Sequence, residues 1–101
     1  MYPKVNQKGV TSNSYDDNVI ILDLSASKEP SLFIKNLSDS NSLKFKILEK
    51  ETGITIVNET TVLKNEDFRK YFNYEKYHKL EVYIKSNTDY LPADYQLLAY
   101  L

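Results

Sequence analysis

The chain contains no cysteine and no tryptophan, only two glycines, a single histidine and a single arginine. Each shortage removes a class of chemistry. Without cysteine there are no disulfides, no thiolate metal ligands and no thiol nucleophile. With His78 as the only imidazole, a nucleophile–base–acid arrangement has one possible base, and no Gly-x-Ser-x-Gly elbow accompanies it. His78 stands in phase with Leu80 at the start of an alternating segment, so its expected place is an edge or partly buried strand position. Gly9 and Gly53 stand too far apart to build a phosphate-cradling loop. The adjacent acidic pairs Asp16-Asp17 and Glu66-Asp67 lack the alternating spacing of a calcium loop and suit turns and caps instead. The expectation is a protein that is not an enzyme, with no catalytic, cofactor-binding or metal-ligating residues.

Long apolar runs are missing too. The longest, such as Val19-Ile20-Ile21-Leu22, are far too short to cross a bilayer, and the opening MYPKVNQKGVTSNSYDDN has no apolar signal-peptide core. A soluble chain with no membrane partner is expected. The formal net charge is −1, and every basic residue but Arg69 is a lysine. Phosphate neutralisation needs a surplus of cations on one face, and bidentate recognition favours arginine, so nucleic acid is not an expected partner.

What is present is a pattern. At 101 residues the chain makes one domain. Residues 1–18 are polar and read as a flexible N-terminal arm, followed by a single domain over 19–101. Ile20, Leu22 and Leu24 share one face of a strand; Leu32 and Ile34 share another. Leu43, Phe45 and Ile47 alternate with Lys44 and Lys46. Glu49-Lys50-Glu51-Thr52-Gly53 reads as a hairpin turn, with Gly53 supplying the positive φ such turns require, and Ile54 to Val57 is the returning strand. Asn65 to Tyr77 reads two ways: Asn65 can cap a helix with Phe68, Tyr71 and Phe72 at helical spacing, while Phe68, Phe72 and Tyr74 also share strand parity; the expectation is one short helical turn over Asn65 to Tyr71 and an irregular run after it. Leu80, Val82 and Ile84 form another strand, and Tyr95, Leu97, Ala99 and Leu101 a last one. The fold class that follows is all-β: an antiparallel β-sandwich of six to seven strands with at most one short helical turn.

The segments NVIILDL, SLFIKNL, LKFKILEKETGITIV, KLEVYIK and ADYQLLAYL together resemble an immunoglobulin-like or fibronectin-type-III-like sandwich. The chain departs from those families where their penultimate strand often carries an in-phase tyrosine: here His78 takes that position and Tyr77 is one residue out. A short sandwich with a polar arm also resembles small accessory proteins of bacteriophage virions, such as capsid decoration proteins. That resemblance implies docking on a larger assembly, with capsid or other virion subunits as partners, the virion as location, and homo-oligomers as a further state.

Tyrosine is the unusual abundance, at nine residues. Its ring is apolar at one end and wet at the other, which suits interfaces. Tyr71, Tyr74, Tyr77, Tyr83 and Tyr90 are therefore the expected interaction surface. The leading functional expectation is a non-enzymatic structural protein that docks on a protein partner. The alternative is an extracellular-type binding module for carbohydrate or a host cell surface, with the loops Asn36–Ser42 and Asn87–Pro92 as its site.

Overall fold

The structure, a computed structural model, describes residues 3–25, 27, 29–72 and 77–101. Among the described residues there are eight strands: β1 (Val5–Val10), β2 (Val19–Asp23), β3 (Ser31–Asn36), β4 (Leu43–Glu49), β5 (Thr55–Val62), β6 (Asp67–Tyr71), β7 (Lys79–Ser86) and β8 (Asp94–Tyr100), with one 3-10 turn at Tyr15–Asp17. They form two four-stranded sheets, ordered β1-β8-β3-β6 and β2-β7-β4-β5, and every pairing is antiparallel. The all-β sandwich expected from the alternating segments is the fold, with eight strands where six to seven were expected.

The wiring follows a simple rule. β4 pairs with β5, β3 with β6, β2 with β7 and β1 with β8. The chain is thus one long antiparallel ribbon doubled back at the β4–β5 turn. It is then wrapped so that β8 also pairs with β3, and β7 with β4. This is the connectivity of a jelly roll. The turn that starts it is the one legible in the sequence. Gly53 sits at φ +74, donates its N–H to the Glu49 carbonyl at 2.9 Å, and Glu49 N–H reaches the Ile54 carbonyl at 2.8 Å.

The core lies between the sheets and is built by period-two alternation. Leu43, Phe45 and Ile47 of β4, Leu80, Val82 and Ile84 of β7, Tyr95, Leu97 and Ala99 of β8, and Leu32 and Ile34 of β3 all point inward and are buried. Each large side chain contributes roughly 1.5–3 kcal/mol on burial.

Two expectations are overturned. The segment from Asn65 to Tyr71 contains no helical turn: Asp67–Tyr71 is strand β6, on the edge of the first sheet. Asn65 does not cap a helix. It adopts φ +59 and turns the chain, its N–H bonded to the Ser38 carbonyl. Phe68 and Phe72 obey strand parity, and the Phe68 ring stacks at 4.6 Å from Phe45 across the core. Pairing with β3 and this ring contact override a local helix signal of a few tenths of a kcal/mol per residue.

The N-terminal segment is also not a loose arm throughout. Val5–Val10 pairs along its whole length with β8. Thr11, next along, is buried; its hydroxyl shares a 2.8 Å hydrogen bond with Ser86 and accepts the Ala93 N–H. The inward positions of β1 are Val5, Gln7 and Gly9, only one of them a large apolar side chain, so no alternation betrays the strand.

Candidate functional site

The loops β1–β2, β3–β4, β5–β6 and β7–β8 leave the sandwich at one end, a consequence of the doubled ribbon. Their backbones interlock there: Leu37 N–H to the Asp94 carbonyl, Asn65 N–H to the Ser38 carbonyl, Ser86 N–H to the Ser12 carbonyl. This is also where the two loops singled out in the sequence, Asn36–Ser42 and Asn87–Pro92, come together.

Asparagine side chains hold this end rigid. Asn36, buried at the end of β3, donates to the carbonyls of Asn41 (2.8 Å) and Val62 (3.1 Å) and accepts the Ser38 N–H (2.9 Å). Asn41 donates to the Pro92 carbonyl at 2.8 Å, and Asn13 accepts the Tyr90 N–H at 2.8 Å. Three of the four loops are thus tied by side chain to backbone. The sequence places Asn36 and Asn41 in the Asn36–Ser42 loop without showing their bracing role, and it does not single out Asn13. Their only signal was asparagine at strand ends and turns, where its amide mimics backbone.

On this braced frame each loop exposes an apolar group. Val10, Leu37, Leu63, Tyr90 and Leu91 are all solvent-exposed. Val10 and Leu37 border a depression of about 350 Å³ with Lys8, Gly9, Asp94 and Tyr95. Tyr90 is 85% exposed and stands at φ +68, a left-handed conformation that costs a non-glycine residue about 1–2 kcal/mol. An aromatic held outward at that cost is displayed rather than packed.

The other expected tyrosines go elsewhere. Tyr74 lies outside the described residues. Tyr77 is half-buried and packs edge-on against Phe72 at 6.2 Å. Tyr83 is on the outer face of the second sheet, edge-on to Tyr15 at 6.3 Å, with its hydroxyl donating to Glu81 at 2.8 Å. Tyr15 arrives from the 3-10 turn and donates its hydroxyl to Glu59 at 2.7 Å. Glu59 also pairs with Lys44 at 3.3 Å. Lys46 sits 4.7 Å from the centre of the Tyr15 ring. The phenol and lysine pairing on this face is spent within the molecule.

Charge on that cluster is coupled. The Tyr15 phenol is pushed far above its usual range by partial burial and by the Glu59 carboxylate. The Tyr15 hydroxyl, then Lys44, hold the Glu59 carboxyl below the usual carboxylate range. A depressed carboxyl stabilises the fold at pH above its unfolded value, about 4.3, and that support is lost as pH falls through the lower folded value. We expect acidification through this window to release the Tyr15 ring from Tyr83 while the core stays folded, and Glu59→Gln to abolish the step, as followed by tyrosine ring resonances. Tyr15 signals unchanged across the window would contradict the coupling.

Tyr71 belongs to a third place, the outer face of the first sheet. It pairs across β3 with Ser31, which on its other side faces Tyr100. Phe33 packs edge-on to both rings, at 6.1 Å and 5.5 Å, and the Arg69 guanidinium lies 5.6 Å from the Phe33 ring centre. Two tyrosines therefore flank a small serine, with Phe33 alongside. The four described tyrosines, Tyr71, Tyr77, Tyr83 and Tyr90, do not form one surface. Among the described residues, no group of three or more His, Cys, Asp and Glu side chains is placed to hold a metal, and no helix is long and apolar enough to cross a membrane.

Fold and surface define an all-β, two-sheet sandwich whose braced loop end displays apolar groups. No family model and no curated protein matches the chain in sequence. Solved structures similar to it include the following two. One is the SPBc2 prophage-derived protein YomS, 13% identical, with 99% of each chain covered and a TM-score of 0.42. The other is the CBM22-1 xylan-binding domain from Paenibacillus barcinonensis Xyn10C, 20% identical, covering 80% of this chain and 62% of the other, with a TM-score of 0.36.

Proposed function

We propose that this protein is a non-enzymatic docking protein that attaches to a larger protein assembly, a phage virion, through the loop end carrying Tyr90. The observation that supports the reading is Tyr90 itself. It is almost fully exposed, its backbone N–H is bonded to Asn13 in a left-handed conformation, and the same end of the sandwich also exposes Val10, Leu37, Leu63 and Leu91. An exposed aromatic on a backbone-braced loop, at an end that exposes further apolar groups, matches the composition of interaction hot spots, and a backbone ordered before binding lowers the entropy cost of association. Jelly rolls serve as viral capsid domains and as lectin domains.

The test uses co-sedimentation with phage particles. The wild-type chain is expected to sediment with them, and a photo-crosslinker at position 90 to join it to a virion subunit. Tyr90→Gly is expected to abolish sedimentation without lowering Tm, because glycine relieves the left-handed strain. A wild-type chain that stays in the supernatant, or a Tyr90→Gly variant that still sediments, would overturn the reading.

A second reading rests on the Tyr71–Ser31–Tyr100 row, where aromatic rings flank a small polar floor as a sugar-binding trough requires. In the same experiment, release of bound chain by soluble glycan, with loss through Tyr71→Ala and not Tyr90→Gly, would decide for a carbohydrate-binding module.

A further inference from the structure

At the opposite end of the sandwich, the inward row of β4 does not stop at Ile47. The alternation carries Glu49 inward as well, and the residue is only 6% exposed. Its backbone is fixed on both sides, by Gly53 and Ile54 in the turn and by register with Leu80 of β7. Its carboxylate oxygen Oε2 is buried and has no hydrogen-bond partner among the described residues. Glu49 lines a cavity of about 230 Å³ together with Glu51, Thr52, Ile54, Tyr77 and His78.

A buried carboxylate oxygen with no protein donor is costly unless water or a ligand in the cavity donates to it, and a ligand ammonium there would replace water with a charge-assisted bond. The cavity lies below the roughly 300 Å³ at which drug-sized sites begin and well above the roughly 30 Å³ share of one water. That is room for a single side chain. Ile54 and the Tyr77 ring offer apolar walls for an alkyl stem, and Glu51, exposed on the turn, adds negative charge near the mouth. A hard divalent cation would require six or more oxygens, and no metal-holding group of three is present among the described residues. A guanidinium seeks two acceptors in a plane, whereas one unpartnered oxygen suits a point donor, the ammonium.

We propose that this cavity receives the side chain of a lysine presented by a protein partner, its ammonium donating to Glu49 Oε2 and its alkyl stem lying against Tyr77 and Ile54. The proposal does not depend on the docking role of Tyr90, which stands at the other end of the molecule.

The experiment is an amide-resolved NMR titration of the full chain with N-acetyl-lysine methylamide, against N-acetyl-norleucine methylamide as the uncharged control. The lysine probe is expected to shift the amides of Glu49, Ile54 and His78, and the norleucine probe to leave them in place. Glu49→Gln, nearly isosteric, is expected to stay folded and to weaken the lysine probe about tenfold or more. Should that variant fail to fold, Glu51→Gln serves, with a smaller loss expected. No shift with lysine, equal shifts with both probes, or undiminished binding by the folded Glu49 variant would overturn the proposal. Tighter binding of free butane-1,4-diamine than of the lysine probe would also overturn it, by assigning the cavity to a free amine.

Discussion

Phe45→Asp is expected to leave no cooperative thermal transition, whereas Lys44→Asp, one residue away, melts cooperatively near the wild-type midpoint. Phe45 is fully buried at the centre of β4 and stacks on Phe68 from the opposite sheet. Removing a buried phenylalanine costs about 3–5 kcal/mol. An unpaired carboxylate left in its place adds several more. Together these reach the lower range of a small domain's entire stability, about 5–15 kcal/mol. Lys44 points to the outer face, where its substitution removes the ion pair with Glu59 and sets two carboxylates near one another in solvent. Screening by water keeps that effect small. Circular dichroism melts of the two variants decide the matter. Equal midpoints would contradict the inward and outward assignment of β4.

Gly9→Ala is the second large effect, and its size would be unexpected for a substitution in a mostly exposed edge strand. A Cβ at position 9 would fall 2.6 Å from the Tyr95 hydroxyl oxygen and 2.7 Å from the ring carbon bearing it. Tyr95 is buried and its hydroxyl donates to Asn18 at 3.0 Å, so the ring has no free path away. Either the ring or the strand must shift. Overpacking of this kind costs about 1–3 kcal/mol, and for a domain of this length each kcal/mol lowers Tm by roughly 4–8 °C. Tyr95→Phe removes the nearest atom and should rescue part of the loss, so the double variant is expected to be more stable than the two single effects added together. Strict additivity would mean that Gly9 is there for some reason other than the Tyr95 ring.

Both results bear on what could be read from the sequence. Phe45 was legible because β4 carries apolar and charged residues in strict alternation between sheets that bury one face, and a one-residue slip would turn its lysines inward. Gly9 was not legible, because what makes it necessary is a ring 86 residues away in sequence, brought alongside by the pairing of Gly9 with Tyr95. β6 escaped for a related reason: Asn65-Glu66-Asp67 carries a local capping signal, and the pairing with β3 and the Phe68–Phe45 contact, both distant in sequence, outweigh it.

The candidate sites divide the same way. Tyr90 was picked out among the tyrosines, but nothing in the string separates it from Tyr83, whose hydroxyl is engaged by Glu81 and whose ring meets Tyr15. Glu49 was in plain view. It continues the parity of Leu43, Phe45 and Ile47, and a carboxylate in phase with a core row is a signal in itself. It was passed over because it also reads as the first residue of a turn.

By itself the sequence determined the local terms: the all-β class, the burying face of β4, β7 and β8, the reversal at Gly53, and the exclusion of thiol chemistry. These depend on period, turn stereochemistry and residue type, all of which act over a few neighbouring residues. The tertiary structure decided which strand lies beside which, that the eight strands among the described residues close into a wrapped ribbon, and that Tyr71, Tyr77, Tyr83 and Tyr90 divide among two sheet faces, the core margin and a loop end. Those outcomes rest on contacts between residues tens of positions apart, and a strand's period states which face is buried without stating what will cover it.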